Sequence, residues 1–427
     1  MASSSRRAVI TGLGVISPIG LDKAAYWEAL CTSRSGVRPI TSFDPAALPC
    51  RFGGELVGFD ARDYVDKKER KSLKVMSRSI QLAVAAAQLA MDDCGVDKSQ
   101  LDPTRFGVEF GAGLIASELE ELGMASQISG TGQIGAVDLE KWGSQGLACM
   151  PPLWMLKYLP NMLACHVSIL HNAQGPNNTI TENDVASLLA LGEASRALLR
   201  DNADFFLVGG ADSKINPLSM VRHSLFLPLT RRNDAPEKAS RPFERNRDGI
   251  VLGEGAGVLA IEEWEFARRR GARMYAEIAG FGSSFDRGCT GAGLARAIRQ
   301  ALTEAAIGPE DVDHINAQGF SSLEADVWEA RGIQEVFGNC KRPTPVFAPK
   351  SYFGNLGAGS GTTEMAASLL ALEHGVLPPT LNYEEPDPNC PIRVANKSIP
   401  LIQSHFLKIG FTEMGQCAAV VLRKVVR

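Results

Sequence analysis

The 427-residue chain carries nine cysteines (Cys31, Cys50, Cys94, Cys149, Cys165, Cys289, Cys340, Cys390 and Cys417) and six histidines (His166, His171, His223, His314, His374 and His405). These are the side chains that most readily act as nucleophiles, proton shuttles or metal ligands. Their spacing gives them no shared task. No two cysteines form a CxxC pair or a zinc-ligand pattern, so reduced thiols in a cytoplasm are expected, with no metal and no cofactor. The histidines include no i, i+4 pair, and each reads as a structural side chain. Gly12-x-Gly14 lacks the third glycine of a dinucleotide fingerprint, and GxxxxGK[ST], HExxH and GxSxG are absent. One charge run stands apart: Lys67, Lys68, Arg70, Lys71, Lys74 and Arg78 precede a helical segment. It is either a solvated face or a docking surface for an acidic partner.

The elements that position these residues follow from length and pattern. Hydrophobic residues make up 45% and charged residues 22%, which excludes a disordered or collagen-like chain. With 44 basic and 48 acidic residues the net charge is -4, and no global field favours nucleic acid. No apolar stretch reaches the roughly 18 residues of a membrane span. The run from Met1 to Arg7 before AVITGLGVIS reads as the approach to a first β-strand, because Gly12, Gly14 and Pro18 interrupt any signal-peptide core. The length exceeds one compact core and implies two domains or two fused halves.

A weak internal echo points the same way: Ala8–Gly14 and Ala276–Gly282 are both β-type runs ending in Gly-x-Gly, each followed by a helical pattern. In a chain with 42 glycines the echo is equally compatible with duplication and with chance. Strands are expected at Phe106–Gly111, Phe205–Gly210, Gly257–Glu262 and Ala418–Arg423. Helices are expected at Ile80–Cys94, Val185–Arg200, Gly293–Ala306 and Thr363–His374. The alternation predicts α/β layers with mostly parallel sheets. The Gly/Pro-rich connections 224–256 and 375–400 then run over the surface or shape a site.

Three longer segments carry a specific resemblance. RRAVITGLGVISPIG (6–20), TRRNDAPEKASRPFERNRDGIVLGEGAG (230–257) and GVLPPTLNYEEPDPNCP (375–391) closely resemble β-ketoacyl-carrier-protein synthases, the elongating condensing enzymes of fatty-acid and polyketide synthesis. The resemblance runs from Arg6 to about Lys424. It implies a thiolase fold: two related βαβαβαβ halves, 1–265 and 266–427, stacked as a five-layer α-β-α-β-α sandwich. It also implies a dimer with the substrate pocket near its interface.

In that family a cysteine at a helix N-terminus takes the acyl group, and two histidines assist decarboxylation and stabilise the developing negative charge. Gly175-Pro-Asn177 and Gly192-Glu-Ala194 flank the nucleophile without a gap and place Asp184 at the cysteine position. A carboxylate cannot hold the thioester, since an acyl-aspartate is a labile anhydride. Thr181, Asn183 and Asp184 read instead as helix caps, a contribution of roughly 1 kcal/mol. The first histidine position is Gln318, in Asn316-Ala-Gln-Gly-Phe-Ser321, and the second is Asn355, in Lys350-Ser-Tyr-Phe-Gly-Asn355. Glutamine donates a hydrogen bond but shuttles no proton near neutral pH. Lys350 and Glu364 are retained, and Asp326 and Glu329 match. The family's glycine-rich gating loop becomes Phe411-Thr-Glu-Met-Gly-Gln-Cys417, with the first aromatic kept and Glu413 in place of the second.

The resemblance therefore implies a non-condensing subunit, similar to the chain-length factors of type II polyketide synthases. Such a subunit forms a heterodimer with a Cys-containing ketosynthase, a homodimer being the other arrangement, and shapes its acyl tunnel. The cysteine position of those factors is often glutamine, from which Asp184 departs. Two alternatives stand beside it. One is a carrier-protein-dependent enzyme with altered chemistry, such as malonyl decarboxylation with Asp184 as base. The other is an active 3-oxoacyl-carrier-protein synthase. On any of these readings the partner is an acyl carrier protein, docked by Lys67, Lys68, Arg70, Lys71 and Lys74.

Overall fold

The computed structural model describes residues 6–425, so Met1–Ser5 of the N-terminal run lie outside it. Ten strands form one continuous sheet with a repeated plan. From the centre to one edge run Ala8–Ile16, Glu254–Glu263, Phe205–Ser213, Phe106–Gly111 and Asn177–Ile180. From the centre to the other run Ala276–Phe285, Gln416–Lys424, His405–Phe411, Val312–Asn316 and Val346–Phe347. Both sets have the same order relative to the chain. In both, the two inner pairings are antiparallel and the two outer ones parallel. The sheets are thus mixed and not mostly parallel as the alternation suggested: the last two strands of each half return as a neighbouring antiparallel pair, which no local pattern encodes.

The echoed runs are the first strands of the two sets and meet at the centre, where Val9 pairs with Glu277 and Ile10 with Ala276. Their glycines do the same work. A Cβ on Gly14 would lie 1.8 Å from the Ala86 carbonyl oxygen, and one on Gly12 2.4 Å from that of Ala90. A Cβ on Gly282 would lie 2.0 Å from Ala297 O, and one on Gly280 2.1 Å from Ala301 O. Gly-x-Gly here seats the alanine-rich helices Arg78–Cys94 and Ala292–Glu304 directly on the sheet backbone.

Those two helices cover the outer faces of the halves, the second with Ala325–Phe337 packed beside it. Helices Ala186–Leu199 and Ser360–His374 touch each other and both halves of the sheet, making a central layer. Three buried apolar clusters follow from this layering, one central and one under each outer layer. All eight expected elements are present: five are two to four residues longer than expected, Phe106–Gly111 matches, and Ala186–Leu199 and Ala292–Glu304 are slightly shorter.

The connection 224–256 runs over the surface as far as Lys238 and turns largely inside from Ala239. Arg247 donates to Ser322 O (2.8 Å) and Asp387 (2.7 Å), and Asp326 accepts the Phe243 N–H at 2.8 Å, so the loop's polar groups are satisfied inside. Among the described residues no helix is long and apolar enough to cross a membrane. None of their His, Cys, Asp and Glu side chains forms a group of three or more able to hold a metal ion.

Candidate functional site

Strand Asn177–Ile180 ends at the sheet edge, and a single tight turn, Asn183–Val185, leads into helix Ala186–Leu199. Asn183 takes φ +43°, a left-handed conformation that asparagine tolerates and that reverses the chain just before Asp184. The expected capping role fails. The helix N-cap is Val185, with no side-chain cap bond, and neither Thr181, Asn183 nor Asp184 supplies one. Asp184 sits one residue too early, inside the turn, so its carboxylate cannot reach the free amides. The half-buried carboxyl leaves its Oδ1 without a hydrogen-bond partner. Burial raises its pKa, opposed by the Lys350 charge, the Asn355 amide and Lys214.

Asp184 opens onto a cavity of about 360 Å3 shared with Asn355, Lys214, Arg222, His223 and Glu413. Leu114, Phe226, Leu227, Leu252 and Met414 supply its apolar wall. Asn355 follows Gly354 and accepts from Gly357 N (3.1 Å) and Ser360 Oγ (3.0 Å), which fixes its amide at the entry to the helix Ser360–His374. Glu413 lies in the turn after strand His405–Phe411. Burial pushes its carboxyl up to about 7, with the charges of Asp184 and Glu324 adding to the shift. Lys214 is held by Asp212 at 2.7 Å. His223 donates from Nδ1 to Ser219 O at 2.7 Å, and burial lowers its pKa.

Gln318 and Lys350 lie behind this wall and do not line the cavity. A Cβ on Gly410 would lie 3.3 Å from Gln318 Oε1 and 3.7 Å from the Val185 side chain, so Gln318 sits beside the residue following Asp184. Both ends of its buried amide lack a hydrogen-bond partner. Glu329 accepts the backbone N–H groups of Gln318 (2.6 Å) and Gly319 (2.8 Å), and burial raises its pKa. Lys350 and Lys408 both donate to the carboxylate of Glu364. Lys408 also donates to Asn316 Oδ1 (3.0 Å) and Ala317 O (3.1 Å), and burial lowers its pKa against the pull of Glu364. The Phe320 ring stands 5.4 Å from the Lys350 ammonium and meets Phe411 edge-on at 5.4 Å. Asp184, before helix Ala186–Leu199, and Asn355, before helix Ser360–His374, share the cavity, whereas Gln318 and Lys350 are buried away from it.

Lys408 escaped the sequence reading. Its signal is a lone cation in the otherwise apolar run Phe406–Phe411, the mark of a buried partner. The basic cluster divides. Lys67, Lys68, Lys71 and Lys74 are exposed, whereas Arg70 donates to Arg62 O (2.6 Å) and Arg78 binds Glu254 (3.0 Å) while stacking on Phe59. Both arginines are therefore structural ties as well as charges.

Residues 5–267 match the beta-ketoacyl synthase N-terminal domain and residues 275–384 the C-terminal domain. The chain is 36% identical over 426 residues to a 3-oxoacyl-[acyl-carrier-protein] synthase 2 of Synechocystis sp., covering 98% of each chain. Its structure resembles that of the ishigamide ketosynthase/chain length factor, with a TM-score of 0.86 and 29% identity over 99% of this chain and 100% of that one. It also resembles a type II polyketide ketosynthase solved in complex with its acyl-carrier protein, with a TM-score of 0.84 and 28% identity over 99% of this chain and 100% of that one.

Proposed function

The chain belongs to the β-ketoacyl synthase family, and from that premise we propose that it is a non-condensing accessory subunit of fatty-acid or polyketide synthesis. It pairs with a Cys-containing synthase and shapes the acyl tunnel of that partner, and its carrier-docking face is the exposed lysine run. The observation that carries the reading is the fate of the three reactive positions. Asp184 can take up an acyl group only as an anhydride, Gln318 moves no proton, and Asn355 spends its oxygen on the entry to a helix. Gln318 and Lys350 are moreover absent from the wall of the cavity that reaches Asp184. The likeness to a ketosynthase/chain length factor and to a carrier-bound ketosynthase supports the partner classes. On this reading the halves 1–265 and 266–427 supply, respectively, the nucleophile position and both histidine positions.

Intact-mass spectrometry with malonyl- and acyl-carrier protein tests it. Product formed only when a Cys-containing paralogue is added, and altered in length by this chain, is the expected result. Condensation by the chain alone overturns it.

The open path to Asp184 favours one second reading, in which the cavity promotes malonyl decarboxylation with Asp184 as base. Release of carbon dioxide by the chain alone, abolished in Asp184→Asn, supports that reading. Unchanged malonyl-carrier protein rejects it.

A further inference from the structure

The edge strand Asn177–Ile180 is paired on one side only, with Phe106–Gly111, and among the described residues no strand lies beyond it. Asn177 and Asn178 are exposed there. Asn178 stands opposite Glu109, so the two share a face of the sheet. Val108 and Phe110, on either side of Glu109, join the buried cluster under helix Arg78–Cys94. Glu109 therefore points the other way, towards helix Ala186–Leu199 of the central layer. It is only 3% exposed, and its Oε2 has no hydrogen-bond partner. Burial pushes its carboxyl up to about 7, and the charge that adds to the shift, Glu193 on that helix, has the same sign.

The cations nearby are engaged or distant. Arg196 is turned away onto Phe281 and Glu304. Arg200 follows about two turns after Glu193, at the end of the helix. Arg105, just before the neighbouring strand, is spent on Asp201 and Asp204. Glu193 itself is exposed although its helix lies in the central layer, and Leu189, one turn earlier on the same face, is only half-buried. The other face of this edge is equally unfinished. Thr179 Oγ1 and His166 Nε2 are buried without a partner. Ile169, on the helix Met162–His171 packed against the strand, is 70% exposed.

We propose that this edge is the seat of a second ketosynthase-like chain, which brings a lysine or arginine to Glu109 and Glu193. The backbone N–H and C=O groups left free along Asn177–Ile180 pair with an extended strand of that chain, and its cation completes the acidic pair. A chain of the same fold carries a free edge strand at the same place, so two such edges meet across a two-fold axis. A copy of this chain would bring a second Glu109–Glu193 pair to the same face with no cation between them, so the edge favours a different partner over its own copy. That this partner is the Cys-containing synthase rests on the function proposed above.

The test titrates the full chain at pH 8 with a purified Cys-containing paralogue, followed by analytical ultracentrifugation, as wild type, Glu109→Gln and Glu193→Lys. Glu193 is exposed, so Glu193→Lys keeps the fold and decides the outcome should Glu109→Gln disturb it. Each variant is expected to weaken the heterodimer by at least ~10-fold at low salt, the effect of Glu193→Lys shrinking as salt rises. Changing the partner's matching lysine or arginine to glutamate restores pairing with Glu193→Lys. Unchanged heterodimer affinity in Glu193→Lys, or a wild-type homodimer as tight as the heterodimer, overturns the proposal. Weakened pairing with product length unaltered by the chain rejects the accessory role and leaves the interface standing. Intact pairing of Glu193→Lys, with product length still altered, overturns the interface and leaves that role standing. A wild-type chain that pairs with no such paralogue overturns both.

Discussion

Two environments meet on either side of Val185. On one side Asp184, Asn355 and Glu413 face a cavity, with an unpartnered carboxylate oxygen and two carboxyls whose pKa values are raised. On the other side Lys350, Lys408 and Glu364 form a buried ion network, with Glu329 holding the backbone of Gln318 and Gly319. The carboxyls of Asp184 and Glu413 are available to a ligand, whereas the Asn355 oxygen is held at a helix entry. The sealed groups are bound to one another, and losing any of them strands a buried charge. The persistence of Lys350 and Glu364 next to substituted reactive positions is therefore explained by packing. It carries no implication of turnover.

The contrast is broken most directly at its strongest point. Glu364→Gln leaves two buried ammonium groups without their carboxylate and is expected to cost about 3–5 kcal/mol in chemical denaturation. A loss below about 1 kcal/mol removes the claim that the network is structural.

Glu413 probes the open side through pH. Its folded pKa lies at about 7, above the ordinary 4.5, so between those values the unfolded chain has released a proton that the folded chain retains. Stability is therefore fully present below pH 4.5, falls as pH rises to 7, and is level above that. Glu413→Gln should abolish this contribution to the slope and gain ~1–2 kcal/mol at pH 8, after allowance for its partial exposure. Parallel wild-type and variant stability–pH curves refute the assignment.

A smaller effect is expected at Gln318. Gln318→Met replaces a buried amide that lacks partners with an apolar chain of similar length, and should stabilise by about 1 kcal/mol. Destabilisation by the same amount identifies a bound water or ligand at that amide.

The smallest expected change in stability, within about 0.5 kcal/mol, belongs to the joint variant Lys67→Glu, Lys68→Glu and Lys71→Glu. Its effect is a salt-sensitive loss of carrier affinity. Unchanged affinity at low salt removes the lysine run from the docking surface.

Much of the fold was legible in short-range pattern. Phe106–Gly111 is a strand between the expected bounds, and helix Arg78–Cys94 starts two residues ahead of its apolar run. Motif order put Asp184 at a helix N-terminus, and the structure has it in the turn before Ala186–Leu199. The cap at Asp184 was misread because N-cap chemistry depends on which residue leaves helical geometry, and a one-residue shift turns a cap into a cavity wall. The six-residue basic run looked uniform because charge is read from sequence without its partners, and Arg70 and Arg78 find theirs only in the folded chain.

The sequence by itself determined the element types, the glycine seats of the two outer helices and the side-chain chemistry available at Asp184, Gln318 and Asn355. Each of these depends on side-chain identity or on a period of a few residues. Only the tertiary structure decided that the sheets are mixed, that Lys408 joins Lys350 on Glu364, and that Asp184 is open while Gln318 is sealed. Those outcomes depend on burial and on contacts between residues far apart in the chain, and both come into being only when the layers close.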